Sequence, residues 1–415
     1  KLVCTKQKNL DSLRRCMSAS NKSAFLFLLS NIEWNQYVNN NDVNVQYSAV
    51  LEKYSSVFNE SFPLTKVSST HKRIPRKPWM TAGLVKSCRK KEKLYKTFIR
   101  NPNDHNDEKY RTYRNKLNKL LHKAEQLYYF ETFDTFKTNI KNTWKTIKLI
   151  LNKNGSPRLP DNFNINNNSV TDKSVIAQKF NEYFINIGPT LAEKIPPTNT
   201  SFTTYLTGNY PNSFMLFDTT PDEVIQVANQ MQSKQSAGFD DIPLDIMKLS
   251  VGYLAKPLTE IINNSFRSGS FPNLLKIAKV CPVYKSGNTS ELTNYRPISI
   301  LPSFSKIFER LMYNRLTNYL TKNAVISENQ FGFRSNHSTL MAILGMVDKI
   351  TTAMDNKQFS VGVFVDLSKA FDTLNHKILL HKLEHYGIRG IALKWFESYL
   401  CYRMQFVEFN GAKSI

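Results

Sequence analysis

Apolar positions recur along this chain with two periods, and the change between them marks its organisation. Over 81–100 and 107–133 the spacing is helical. Leu84, Leu94 and Phe98, then Tyr110, Tyr113, Leu117, Leu121 and Tyr128, fall on stripes, with lysines and arginines opposite. Thr81 stands where an N-cap is needed and 101–107 supplies a turn, so the pattern predicts a basic helical hairpin. Shorter helices are expected at 23–38 and 45–58, either side of the Asn-rich patch 39–44, and at 143–151. Another helix is expected in VTDKSVIAQKFNEYFINIG, with Asp172 as a candidate cap. The stretch 152–169 is rich in Asn, Gly and Pro and 195–218 is linker-like, so both read as connections.

From Thr220 onward strand-like runs appear among the helices. PDEVIQVANQM predicts a helix with Pro221 in its first turn. AKVCPVYKSGN predicts a strand over 279–284 and a turn at 286–288, and NYRPISIL returns as a second strand to make a hairpin. SFSKIFERLMYNRLTNYL is amphipathic, with Ile307, Leu311 and Leu316 inward, and a further helix spans 339–355. The apolar run 361–365 reads as a buried strand that leads into Asp366. Helices at 379–386, ended by Gly387, and at 395–400 precede RMQFVEFNG, a strand entering an Asn-Gly turn.

Charge narrows the partners. The 415 residues carry a formal charge of +23. Residues 71–153 hold 22 Lys and Arg against 7 Asp and Glu, so most of the excess sits in a fifth of the chain. Such concentration points to a polyanion, most simply nucleic acid. An acidic membrane surface is the rival, but no lipidation signal or clean amphipathic apolar face supports it. Lys90, Lys93, Arg111 and Arg114 are the candidate phosphate contacts on the hairpin, sequence-blind and salt-sensitive. The aromatics Tyr128, Tyr129, Phe130 and Phe133 are read as core, with base stacking as the alternative. Five scattered cysteines, none in a C-x-x-C pair, argue against a disulfide framework or zinc site and for a reducing, intracellular compartment. The early apolar run 24–29 is too short to span a bilayer. The chain opens on Lys1, and its natural N-terminus is expected to lie elsewhere.

The candidate chemistry centres on VGVFVDLSKAFDTLNH, 361–376. A carboxylate at the end of an apolar strand can hold magnesium where phosphates reach it. The alternative is that Asp366 and Ser368 cap a following helix. What decides between them lies upstream: FPNLLKIAKVCPVYKSGN, NYRPISILPSFSKIFERLM and SENQFGFRSNHST precede FVDLSKAFD in order. Together these resemble the fingers motifs and first palm motif of reverse transcriptases of jockey-type non-LTR retrotransposons. SKQSAGFDDIP resembles the same family's entry motif through Lys234, Gly238, Asp240, Ile242 and Pro243, with Asp241 standing where that family usually has Gly. The region with KPW, basic helices and the F-N-x-Y-F helix resembles the segment that joins endonuclease to polymerase in such elements.

The resemblance implies an α+β fold, right-hand polymerase fingers and a partial palm preceded by a mostly helical basic connector. The implied division is 1–70 N-terminal helical connector, 71–195 basic helical region, 196–219 linker and 220–415 reverse transcriptase domain. It implies RNA-directed DNA synthesis with two Mg2+ ions, an element RNA template, a DNA primer and dNTPs, and target chromosomal DNA for the intact element. By resemblance Asp366 is the catalytic carboxylate and, with the main-chain carbonyl of Leu367, a metal ligand. Lys285 and Arg296 face the triphosphate, as a bidentate Arg grip would. Gln330 and Phe371 lie at the nucleotide, Phe371 excluding a ribose 2′-hydroxyl. Lys306, Arg310, Gly332 and Arg334 contact nucleic acid. A nuclear and cytoplasmic ribonucleoprotein location is expected. The family's G-x-P-Q-G-S segment and aromatic-Ala-Asp-Asp box are not among these residues. The 415-residue polypeptide alone is therefore expected to be inactive. A non-enzymatic nucleic-acid-binding relic, an interaction protein with a fingers-like core, and an intron maturase are the rival readings.

Overall fold

The computed structural model describes residues 13–66, 77–151, 160, 162–165, 168–196, 199–233, 236–367 and 369–415. Lys234 and Ser368 lie outside them. Two compact units emerge.

One unit holds the basic segment. Helix Ala82–Arg100 starts at Thr81, whose side chain accepts the Leu84 N–H at 3.3 Å. The longer helix Asp104–Phe136 is capped by Asn103, which accepts from the Asn106 N–H. Acidic residues in its first turn suit the positive end of the helix dipole. The two pack through their aromatic stripe, with Tyr95 and Phe98 against Tyr110 and Leu117 buried. A third helix, Ile140–Ile150, follows, capped by Asn139. The strands Leu13–Arg15 and Leu64–Lys66 pair antiparallel in this unit.

The other unit gathers residues 16–63 with the second half of the chain. Helix Leu244–Ser268 runs through its main core and is closed by Gly269 in the left-handed conformation. Against it pack the helices Ala19–Ser30 and Val43–Ser61, whose rings interlock with the polymerase-like segment. Tyr54 meets Phe304 edge-on at 5.4 Å, and Tyr47 meets Phe308 at 6.5 Å. The Tyr54 hydroxyl hydrogen-bonds the buried Ser250 hydroxyl at 2.8 Å. Arg315 locks the Pro221–Gln230 helix in place by a two-armed grip on Glu223, at 2.8 and 2.9 Å, and a third bond to Thr219.

A four-stranded sheet carries the second core. Its order is Tyr295–Ile300, Ile277–Tyr284, Met404–Phe409, Ala412–Lys413. The first two form the expected antiparallel hairpin, and the middle two run parallel. Asn410 and Gly411, both at positive φ, make the tight turn expected of Asn-Gly. Val280, Tyr295, Val407 and Phe409 pack on Phe180 and Phe184 of helix Lys173–Ala192. Asp172 caps that helix by accepting from the Ser174 and Val175 N–H groups. Within the expected loop 152–169, Phe163–Ile165 and Asn168–Val170 pair as a small hairpin that drives Phe163 into this core.

The run 361–365 is not a strand, contrary to the expectation from its residues. It is extended and unpaired, and Val361, Val363, Phe364 and Val365 are each at least four-fifths exposed. β-branched residues favour a strand only where a neighbouring strand takes their backbone groups, and none among the described residues pairs with them. The preceding helix, Thr339–Asp355, likewise buries none of its residues.

The entry motif turns on two backbone facts. A Cβ on Gly238 would stand 2.7 Å from the Pro302 nitrogen, so only glycine allows this approach. Asp241 adopts φ 53°, a left-handed conformation that Asp tolerates better than most residues and Gly adopts freely. Asp240, between them, accepts the Ile242 N–H through Oδ1, while its buried Oδ2 has no hydrogen-bond partner. Burial, reinforced by the Asp241 charge and opposed by backbone N–H groups and Lys279, pushes the Asp240 carboxyl from 3.8 up to about 6. Its folded pKa exceeds its unfolded one, so the folded state binds more protons between those values and stability falls as pH rises from about 4 to 6. Asp240→Asn keeps the Oδ1 acceptor and removes the charge. Urea melts should show the variant more stable than wild type at pH 7.5 by on the order of 2 kcal/mol, with the difference vanishing below pH 4. Equal differences at both pH values would contradict this account of Asp240.

Candidate functional site

The sheet has one covered and one open face. Even-numbered residues of Ile277–Tyr284 point toward helix Lys173–Ala192, so odd-numbered ones point away. Arg296 lies directly opposite Val283, and the Lys285 N–H donates to the Asn294 carbonyl at 2.8 Å, continuing the register. Lys285 and Arg296 therefore share the open face as diagonal neighbours, both exposed. Val283, Ile298 and Met404 on that face are also about half exposed. Lys279, deeper on the same face, lies 3.4 Å from Glu408 and 3.6 Å from Asp241. That trio escaped the sequence reading. Its signal is a lysine in an otherwise apolar strand, which when largely buried needs a carboxylate partner.

On helix Ser305–Lys322, Ile307 and Leu311 are buried and Leu316 is half-buried. Lys306 and Arg310 emerge one turn apart and line a cavity of about 410 Å3 with Gln230, Gln232 and Leu244. Arg310 also lies over the Tyr313 ring, 5.2 Å from its centroid.

The turn after this helix is built differently from a free recognition loop. Arg334 folds back to donate to the Ser327 carbonyl at 2.9 Å, and the Gln330 side chain donates to the Gly332 carbonyl at 3.0 Å. Both side chains shape the turn itself. Phe333, at φ 61°, is left 86% exposed and meets Phe371 edge-on at 6.4 Å. This contact joins the second fingers-like motif to the carboxylate loop.

That loop docks on helix Lys173–Ala192. The Lys369 ammonium sits 3.5 Å from the Tyr183 hydroxyl, over its ring. A Cβ on Gly188 would lie 2.3 Å from the Asp372 carbonyl oxygen, so the loop backbone rests where that glycine leaves room. Asp366 and Leu367 are exposed. Among the described residues no group of three or more His, Cys, Asp or Glu could hold a metal ion. The described residues therefore do not by themselves fit a two-metal centre.

In the basic unit, Lys90 and Lys93 are exposed on Ala82–Arg100, with the Lys90 ammonium 5.4 Å from the Tyr113 ring centroid. Arg111 is paired with Asp107 at 2.8 Å, and Arg114 lies over the Tyr110 ring. Tyr128, Tyr129 and Phe133 are half-buried, and Phe130 is exposed. No helix among the described residues is long and apolar enough to cross a membrane.

Residues 283–414 match the family described as reverse transcriptase (RNA-dependent DNA polymerase). The RNA-directed DNA polymerase from mobile element jockey of Drosophila melanogaster is 34% identical over 179 residues, 43% of this chain and 20% of that protein. The probable RNA-directed DNA polymerases from transposon BS and transposon X-element of the same fly are each 32% identical, over 174 and 195 residues. The chain spans about a fifth of the length of these relatives.

Proposed function

We infer, from the reverse-transcriptase sequence that residues 283–414 carry, that this chain is part of an RNA-directed DNA polymerase of a non-LTR retrotransposon. The single observation that carries the reading is that the matched segment holds both the paired-cation hairpin and the FVDLSKAFD loop, in that order. The polymerase part begins near Thr220, and the basic region before it contacts nucleic-acid backbone. An RNA template, a DNA primer and dNTPs are the substrates. Lys285 and Arg296 are the cations for the incoming triphosphate, and their shared open face supports that role. Phe371, and Phe333 against it, wall the nucleotide side of the Asp366 loop. Asp366, with the Leu367 carbonyl, is this chain's contribution to a centre that holds two magnesium ions in the complete enzyme.

Because no group of three or more His, Cys, Asp or Glu among the described residues could hold a metal ion, the 415-residue polypeptide is expected to be silent. RNA-templated primer extension by residues 1–415 should stay at background, and extension above background would refute that expectation. The second reading, a nucleic-acid-binding relic, is favoured by the charge excess of 71–153 alone. Under it, RNA binding by this chain would be strong and steeply salt-dependent, and no Asp366 substitution would change any activity of a longer product.

A further inference from the structure

The basic unit encloses a cavity of about 620 Å3 that nothing described so far uses. Its floor and walls are aromatic: Trp79 from the segment before the first helix, Tyr128, Tyr129 and Phe136 from helix Asp104–Phe136. Lys77 and Lys145 stand at its edge, and Lys145 is exposed. The Lys77 ammonium lies 5.0 Å from the Trp79 ring centroid, fixing that ring against one side. Tyr128, Tyr129 and Phe136 are only half-buried, so ring surface is left open toward this space rather than filled by packing.

We propose that this cavity is a binding site for an unpaired base of single-stranded nucleic acid, with Lys77 and Lys145 taking the flanking phosphates. The proposal rests on the reading of the basic unit as a nucleic-acid contact and adds what that contact selects. Three features support it. A volume in the range of small-ligand pockets, about 300–1,000 Å3, admits one flat base and its sugar but no duplex. Tyrosine and tryptophan faces stack any base, since every base has a π-face. The surrounding segment has a single-signed excess, 22 cations against 7 anions over 71–153, which complements a polyanion and not an ordinary peptide. Glu125, the lone carboxylate among the lining residues, keeps the phosphates to the lysine side and leaves an acceptor for a base amino group.

The test uses the whole 415-residue chain and fluorescence anisotropy with a labelled 20-nucleotide single-stranded RNA and a duplex of equal length, across a salt series. Wild type should bind the single strand more tightly. Tyr128→Ala/Tyr129→Ala should weaken single-strand binding by about tenfold at fixed salt, with the salt slope and the duplex affinity unchanged. Lys145→Ala, at an exposed position that does not threaten folding, should lower the single-strand salt slope by about one while leaving the duplex slope alone. Circular dichroism checks that the tyrosine variant is folded, and if it is not, Lys145→Ala decides alone. Equal binding of both forms, or equal losses on both, overturns the cavity while the basic surface stands. No binding of either form at low salt overturns the cavity and the surface together.

Discussion

Trp395→Ala should lower the unfolding free energy of the unit that contains it by about 3–5 kcal/mol, the range for removing a buried large aromatic. Trp395 is 1% exposed and belongs to the main core. It stacks on Tyr399 at 5.6 Å, meets Phe271 edge-on at 5.3 Å, and approaches Phe266 at 6.0 Å. Its indole N–H donates to the Ser265 hydroxyl at 3.0 Å, and that hydroxyl donates on to the Ser270 carbonyl. Truncation therefore leaves a cavity between helices Leu244–Ser268 and Gly390–Leu400 and an unpaired acceptor beside it. Trp395→Phe keeps most of the volume and loses the hydrogen bond, so it should cost less than half as much. Equilibrium urea unfolding of the two variants measures both values, and equal costs would show that packing is not what Trp395 provides.

Asp366→Asn, in a product long enough to polymerise, should lower primer extension by on the order of a thousandfold, equivalent to about 4 kcal/mol of transition-state stabilisation. The substitution keeps the size of the side chain and removes the charge proposed to hold magnesium. Because Asp366 is exposed, the same change should leave the stability of the 415-residue chain within about 0.5 kcal/mol of wild type. The pair of measurements separates a chemical role from a structural one. Loss of stability with intact extension would reverse the assignment.

What the residues announced was local. Thr81 and Asp172, short polar side chains ahead of periodic runs, were legible as caps, and the structure starts helices at both, while the caps Asn103 and Thr220 were not singled out in advance. The fingers-like hairpin and the Asn-Gly turn were likewise legible, because tight turns demand particular residues. Helix Leu244–Ser268 was harder to see. Gly252 and Pro257 sit inside it, and both normally end helices. Burial of the face that carries Leu254, Leu258 and Ile261 overrides their local cost. Nor did anything in residues 16–63 reveal that Tyr47 and Tyr54 would pack on Phe308 and Phe304, since contacts 250 residues apart leave no local pattern. The run 361–365 failed for the opposite reason. Its propensity for a strand is strong, but propensity cannot provide the neighbouring strand.

Of the candidate site, the cations Lys285 and Arg296 were legible as a pair because a two-residue strand period fixes which face they share. Arg334 and Gln330 were placed in the right turn, but their side chains satisfy carbonyls of that turn, a demand of the backbone that no motif records. The contact of Phe333 with Phe371 could not be foreseen, as it depends on how two loops meet.

The proposal that this chain is part of an RNA-directed DNA polymerase is tested by reading its transcript past the codon for Ile415. The expected result is an open frame that continues into a G-x-P-Q-G-S segment and an aromatic-Ala-Asp-Asp box, supplying further carboxylates for the Asp366 loop and strands to pair with 361–365. A stop codon or frameshift immediately after Ile415 would contradict it, and would leave this chain a nucleic-acid-binding relic.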